Sequence, residues 1–177
     1  MSVLEAIEEQ CSFGFTGRIN VLKSVDRQYL GVILLLNGKV VSSHFAKKTG
    51  ATALYSLVIC DLEDLEDFKL VVEPEIVEEE DVEFSLTLND LRKKVTTIYE
   101  DHNKSKKLKP PENLRVLINP GFVEKGEKPT SLEFSILKVM SEFNKVADIY
   151  KNCDLFDFEI TKGLVSLRKK GAIKVFK

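Results

Sequence analysis

The sequence has few of the residues from which metal sites and catalytic triads are built. Its 177 residues include two histidines and three cysteines, all far apart in the chain. His44 and His102 are too few and too scattered for a metal site or a triad. The cysteines show no C-x-x-C spacing and are odd in number, which is typical of a reduced cytoplasmic chain without a disulfide framework. We therefore expect no metal and no cofactor.

Phosphate-binding and nucleophile motifs are also missing. The chain contains no G-x-x-x-x-G-K-[ST], no G-x-G-x-x-G and no G-x-S-x-G. Tyr29 and Tyr55 are candidates for lining a small pocket, but nothing polar in the sequence converges with them. The many carboxylates lie in runs, a pattern typical of solvated surfaces rather than of paired acid and base groups. These absences predict that the protein is not an enzyme.

Long apolar runs and a strong charge excess are missing as well. No apolar run reaches the roughly 18 residues of a membrane span, and the first ten residues are acidic and amphipathic, unlike a signal peptide. The formal net charge of −2 predicts no general affinity for nucleic acid or anionic membranes. With 44% hydrophobic and 31% charged residues, we expect a cytoplasmic globular protein with no membrane insertion.

A β-hairpin is the strongest local signal that is present. The stretch 30–45 reads LGVILLLNGKVVSSHF, with Asn37-Gly38 between two β-rich runs. Asn-Gly favours a type I′ turn, because both central residues need a positive φ. A two-residue loop predicts that Leu36 opposes Lys39 and that Leu34 opposes Val41.

The two faces of this hairpin are both largely apolar. The predicted register places Ile33, Leu35 and Val40 on one face, together with Ser42 and His44. Because water does not freely bathe two apolar faces, we expect helices to cover them, or a helix to cover one and a partner the other. Ile33, Leu35 and Val40 are therefore candidate interaction residues, with a homodimer as one use of this face.

Further elements surround the hairpin and complete an N-terminal αβ domain over residues 1–86. The patterns predict a helix over 2–10, strands over 17–23, 29–36 and 39–45, a buried helix over 51–62 and a fourth strand over 68–72. The first three strands form an antiparallel meander. Together with the C-terminal half, they predict an α+β fold.

This order of elements resembles the PatA N-terminal (PATAN-type) domain of bacterial signalling proteins. The matching residues are Thr16-Gly17, Asn37-Gly38-Lys39-Val40-Val41, Gly50, Ala53-Leu54 and Phe68. The resemblance covers roughly residues 3–73 and implies a non-enzymatic adaptor that contacts another protein of a signalling or motility pathway. A roadblock-like GTPase co-regulator is a second alternative for this half, but the short meander argues against it.

An acidic run and a basic run follow each other along the chain. Residues 61–83 carry 12 Asp or Glu against one Lys, and residues 92–109 carry seven Lys or Arg against two acidic residues. Like charges repel, so the acidic run must be exposed. It is either a solvated face or a surface that docks a basic partner or the chain's own basic segment. The candidate docking residues are Glu78, Glu79, Glu80 and Asp81.

A connecting helix and a basic linker are predicted over residues 87–111. Thr87 and Asp90 are spaced as in a capping box, and apolar residues recur at i, i+3 and i+4 over 88–106. Pro110-Pro111 stops the helix. We expect it to pack in the core or against a second molecule.

The C-terminal region, residues 112–177, resembles a winged helix-turn-helix. Strands are predicted over 113–118 and 172–176, a turn over 119–121 and helices over 132–143, 146–152 and 157–170. The predicted core set is Ile136, Leu137, Met140, Val146, Ile149, Ile160, Leu164, Leu167 and Ile173.

Charge at the third of these helices argues against DNA readout. Asp154, Asp157 and Glu159 lie where a recognition helix would meet the phosphate backbone, and each would repel it. A DNA-binding transcriptional regulator is the alternative function, and in it Lys162, Arg168 and Lys169 would contact phosphates. We expect a protein-contact role for this region instead.

Overall fold

The computed structural model describes residues 1–124 and 128–176 and has a mixed α+β fold, which confirms the predicted class. The chain forms two compact units, Met1–Tyr99 (unit 1) and Glu100–Lys177 (unit 2). The division falls inside helix α3, Leu88–Lys106. The predicted boundaries place this whole helix between two domains, whereas its first three turns belong to unit 1.

Unit 1 is a five-stranded antiparallel sheet with helices packed on one face. Its elements in chain order are α1 Val3–Ser12, β1 Gly17–Lys23, β2 Tyr29–Leu36, β3 Lys39–Phe45, β4 Lys48–Thr49, α2 Gly50–Leu62 and β5 Phe68–Pro74. The strand order is β4-β3-β2-β1-β5. The predicted meander is therefore confirmed, and β5 joins it beside β1.

A β-bulge changes the predicted hairpin register. Leu36 opposes Lys39 as predicted, but Leu35 opposes Val40 and Leu34 opposes Ser42. Val41 is the extra residue, because a bulge sets two residues of one strand against one of its neighbour. The predicted Leu34–Val41 pair is therefore wrong.

The bulge also corrects the predicted faces of the hairpin. Val32 opposes His44 and Leu34 opposes Ser42, so these two polar residues share the face of Val32 and Leu34. Ile33 opposes Ser43 on the other face of the sheet.

That other face forms the core of unit 1. Ile33 and Leu35 are 0% exposed and Val40 is 1% exposed. Helix α2 contacts β3 and helix α1 contacts β5. The prediction of an interaction surface at Ile33, Leu35 and Val40 is wrong, because helices of the same chain already cover these side chains.

Helix α3 begins and ends where the sequence predicts. The Asp90 N–H donates to Thr87 Oγ1 at 3.3 Å, and the Thr87 hydroxyl donates to Asp90 Oδ2 at 2.7 Å. Leu91 is fully buried, and Arg92 Nε lies 2.7 Å from Glu8 Oε1 on α1. These contacts attach the first turns of α3 to unit 1.

Residues 75–86, here called the strap, run from the end of β5 back to β3. The N–H groups of Glu83 and Phe84 both donate to the Val41 carbonyl at 3.0 Å. Val40 and Leu86 exchange two backbone hydrogen bonds, of 3.1 and 2.9 Å. The bulge exposes the Val41 carbonyl at the sheet edge, so the same irregularity that shifts the register anchors the strap.

Unit 2 has three helices between two short strands, with one further helical segment. The elements are β6 Arg115–Ile118, α4 Pro120–Glu124, α5 Ser131–Met140, α6 Val146–Asn152, α7 Asp157–Lys169 and β7 Ile173–Phe176. β6 and β7 pair antiparallel. The predicted core residues all lie in one buried cluster, except that Leu137 packs against it partly buried. The predicted turn at 119–121 is wrong, because Pro120 begins α4, a position that suits proline's fixed φ.

A buried carboxylate joins the start of α5 to the end of α7. Glu133 is 2% exposed. Its Oε2 accepts from the Thr130 N–H and from Lys170 Nζ, both at 2.8 Å, and its Oε1 accepts from Ser166 Oγ at 2.7 Å. Burial alone would raise the pKa of Glu133, but these hydrogen bonds and the Lys170 charge outweigh it and lower the pKa to about 2.

Candidate functional site

The face of the sheet opposite the helices carries a groove of about 650 Å³ in unit 1. Its floor is apolar and is formed by Leu22, Val32, Leu34 and Val71. Val32 and Leu34 alternate along β2 with the core residues Ile33 and Leu35. The strap lies along this groove and adds Ile76 and Val77 to its lining. We call this feature the sheet groove.

Three polar side chains from two neighbouring strands also line the sheet groove. Arg18 Nε lies 3.0 Å from Glu73 Oε2, and Asn20 Nδ2 donates to the same oxygen at 2.7 Å. Glu75 Oε2 lies 3.4 Å from Arg18 Nε. The hydrogen bond that Arg18 donates to Glu73 and the charge of Glu75 raise the pKa of Arg18 above its ordinary value. This cluster is a half-exposed ion-pair network along the sheet groove.

The groove is bordered by unusually exposed apolar side chains. Ile76 is 83% exposed and Tyr29 is 54% exposed. Single exposed apolar residues are common, but two of them beside an apolar floor form a patch of the kind that marks an interaction site.

The four acidic residues singled out from the sequence lie on the strap. Glu78, Glu79, Glu80 and Asp81 are all exposed, and Glu79–Asp81 form a 3₁₀ turn. The Glu78 N–H donates to Asp81 Oδ2 at 3.2 Å, and Asp81 lines the groove. Of the four acidic candidates, the structure places Asp81 in the lining of the groove and the other three beside it on the strap. The apolar candidates Ile33, Leu35 and Val40 lie in the core.

The candidate phosphate contacts lie on α7 in unit 2. Lys162 Nζ is 3.5 Å from Asp101 Oδ2 and 5.1 Å from the centre of the Phe158 ring. Lys169 is exposed. It follows Lys162 by seven residues, or about two helical turns, so the two lie on the same face of α7 about 10 Å apart along the helix axis. Arg168 instead lines a second, smaller groove of about 260 Å³. The three cations therefore do not form one cluster.

Neither a metal cluster nor a spanning helix is found in residues 1–124 and 128–176. No group of three His, Cys, Asp or Glu side chains there is arranged to hold a metal ion. None of the helices in these ranges combines the length and the apolar character needed to cross a bilayer.

Sequence reasoning missed the sheet groove because its parts are distant in the chain. Polar side chains do lie near Tyr29, contrary to the prediction: Arg18, Asn20 and Glu73 line the same groove. Arg18 and Glu73 are 55 residues apart, and only the pairing of β5 with β1 makes them neighbours. The available signal was the alternation in β1, which sets Arg18 and Asn20 on one face.

No family model, no curated protein and no solved structure matches this chain. The resemblances to a PATAN-type domain and to a winged helix therefore depend on the quoted residues and on the order of elements.

Proposed function

We propose that this chain is a non-enzymatic adaptor of a cytoplasmic signalling or regulatory pathway, and that it binds a segment of another protein in the sheet groove. The observation that carries the proposal is the combination of an apolar floor, at Val32 and Leu34, with an acidic strap beside it. The resemblance to a PATAN-type domain favours the same class of activity in a bacterial signalling or motility pathway. Cys11, Cys60 and Cys153 are not joined by disulfides, which suits a reducing cytoplasm.

The chemistry of the groove selects the kind of segment that it takes. Apolar side chains of a partner would cover Leu22, Val32 and Val71 and the exposed Ile76, because burying apolar surface is the main driving force of association. Lys or Arg residues flanking them would meet the strap carboxylates, which mainly speeds association and selects the partner. We therefore expect a short segment in which basic residues flank apolar ones.

Selection from a random peptide library on the intact chain tests this expectation. Enriched peptides should combine apolar and basic residues, and a fluorescent copy of one should bind the wild-type chain. Val32→Lys should weaken its binding at least tenfold, since the change removes an apolar contact and adds a repelling charge. Leu117→Lys is the matched control, because Leu117 is a similar strand residue, 46% exposed, in unit 2. This control should bind like the wild type.

Neutralising the strap tests the electrostatic part of the proposal. Replacing Glu78, Glu79 and Glu80 by Gln and Asp81 by Asn should slow peptide association and flatten its dependence on salt. Enriched peptides without cations, or binding that Val32→Lys leaves unchanged, would contradict the proposal.

A mobility-shift assay with random-sequence duplex DNA addresses the alternative function. The proposed adaptor should give no shift at low or moderate salt. A complex that weakens steeply with salt, and that is lost in a Lys162→Ala, Arg168→Ala, Lys169→Ala triple variant, would favour a DNA-binding regulator instead.

A further inference from the structure

The two edges of the five-stranded sheet differ in how they are covered. At one edge, β3 is covered along its length, because β4 pairs with His44 and Phe45 and the strap residue Leu86 pairs with Val40. At the other edge lies β5, which pairs with β1 only, in the part of the chain that the structure describes. An uncovered edge strand is a template for a further strand.

The backbone groups that β5 presents outward can be assigned from its pairing with β1. The Ser24 N–H donates to the Asp67 carbonyl at 2.9 Å, so these opposed residues are a hydrogen-bonded pair. Such pairs alternate along an antiparallel ladder. Phe68, Leu70 and Val72 therefore direct their N–H and C=O groups away from β1. Among residues 1–124 and 128–176, no other backbone group bonds to them.

The charges on β5 complement a second copy of the same strand. Lys69 and Glu73 are four residues apart, so they lie on one face of the sheet with Val71 between them. An antiparallel two-fold pairing centred on Val71 sets Leu70 opposite Val72 of the second copy, with their outward backbone groups bonded. It also sets Lys69 opposite Glu73 of the second copy, twice by symmetry.

The neighbouring register is disfavoured by charge. A two-fold axis at Leu70 also pairs outward backbone groups, but it sets Asp67 opposite Glu73 of the second copy, and like charges directly opposite each other are destabilising. The contacts of Glu73 with Arg18 and Asn20 use its Oε2, so Oε1 is the oxygen that an incoming Lys69 ammonium would meet.

We propose that this chain forms a two-fold symmetric dimer through β5, in which the two sheets become continuous and are joined by two Lys69–Glu73 ion pairs. The two Val71 side chains then meet at the axis on the open face, so the floors of the two sheet grooves become adjacent. This inference goes beyond the proposed function and does not depend on it.

A charge-swap experiment on the intact chain tests the dimer. Lys69→Glu sets two acidic residues opposite each other, and Glu73→Lys sets two basic residues opposite each other. The dimer dissociation constant of each variant alone, measured by sedimentation, should therefore be at least tenfold higher than that of the wild type. An equimolar mixture should dimerise again, because each residue then opposes one of opposite sign. Lys93→Glu, at an exposed position of α3, is the control and should dimerise like the wild type.

Cross-linking at the axis keeps the proposal testable if Glu73→Lys harms the fold. Directly opposed residues of a non-hydrogen-bonded pair have Cα atoms about 4.5 Å apart, which a disulfide can bridge. Val71→Cys should therefore form a disulfide-linked dimer on mild oxidation. Val25→Cys, at an 86% exposed position, and the wild-type chain with its own cysteines should not.

Three results would overturn the proposal. They are a wild-type chain that stays monomeric at high concentration, a dimer insensitive to Lys69→Glu, and equal cross-linking by Val71→Cys and Val25→Cys. The oligomeric state is measured without peptide, so failure of the dimer and failure of the groove are separate outcomes.

Discussion

The two units of this chain are stabilised in different ways. The buried core of unit 1 is apolar apart from Ser43, among the residues that the structure describes. Unit 2 buries Glu133 and Thr161 within its helices, and both are hydrogen-bonded. Unit 1 should therefore respond mainly to changes in apolar burial, and unit 2 to changes in charge and pH.

The largest expected effect comes from a charge placed on the core face of β2. Ile33→Lys puts an ammonium group where the side chain is fully buried, at a cost of several kcal/mol, so unit 1 should unfold. Val32→Lys is the control one residue away, on the open face, and should stay folded. Circular dichroism and amide exchange of β1 to β3 measure both. A folded Ile33→Lys chain with wild-type exchange would show that this face is not core.

Removing the buried charge of unit 2 should have the next largest effect. Glu133→Gln removes the charge that accepts hydrogen bonds from Lys170, Ser166 and the Thr130 N–H, and losing hydrogen bonds to a charged group typically costs about 1.5–3 kcal/mol. Unfolding followed by amide exchange in α5 and α7 should show the loss, while β1 of unit 1 should exchange as before. The control is Glu142→Gln, at an exposed position, which should change little.

The pH dependence of unit 2 should follow from the same carboxylate. In the folded chain the pKa of Glu133 is about 2, below its ordinary value of 4.5. The stabilisation is therefore complete above about pH 4.5 and is lost as the pH falls towards 2. In Glu133→Gln, the free energy of unfolding of unit 2 should depend less on pH between about 4.5 and 2. If the variant keeps the wild-type pH dependence, the role assigned to Glu133 is wrong.

A buried hydroxyl pair in unit 2 should give the smallest effect. The Thr161 hydroxyl donates to the Asp157 carbonyl at 2.8 Å, so Tyr150 is the donor in its 2.7 Å contact with Thr161 Oγ1. Burial raises the pKa of Tyr150 to about 12. Tyr150→Phe should destabilise unit 2 by about 1 kcal/mol, measured by urea unfolding. A loss as large as that of Glu133→Gln would contradict the expected order, in which the carboxylate contributes more than the hydroxyl pair.

Local signals were enough to predict most of the elements. Asn37-Gly38 determined where β2 ends and β3 begins, and Thr87 with Asp90 marked the start of α3. The bulge was not predictable, because Val40 and Val41 are both apolar and alternation cannot show which of them faces the core. The sheet groove was not predictable either, since Arg18 and Glu73 meet only through β5 pairing.

Amide chemical shifts of the intact chain with and without the selected peptide test the central claim most directly. Binding in the sheet groove predicts changes at Arg18–Leu22, Tyr29–Leu34 and the strap, with the signals of α5 and α7 unchanged. Changes centred on α7, or on the second groove beside Arg168, would contradict the claim that the open face of the sheet is the binding surface.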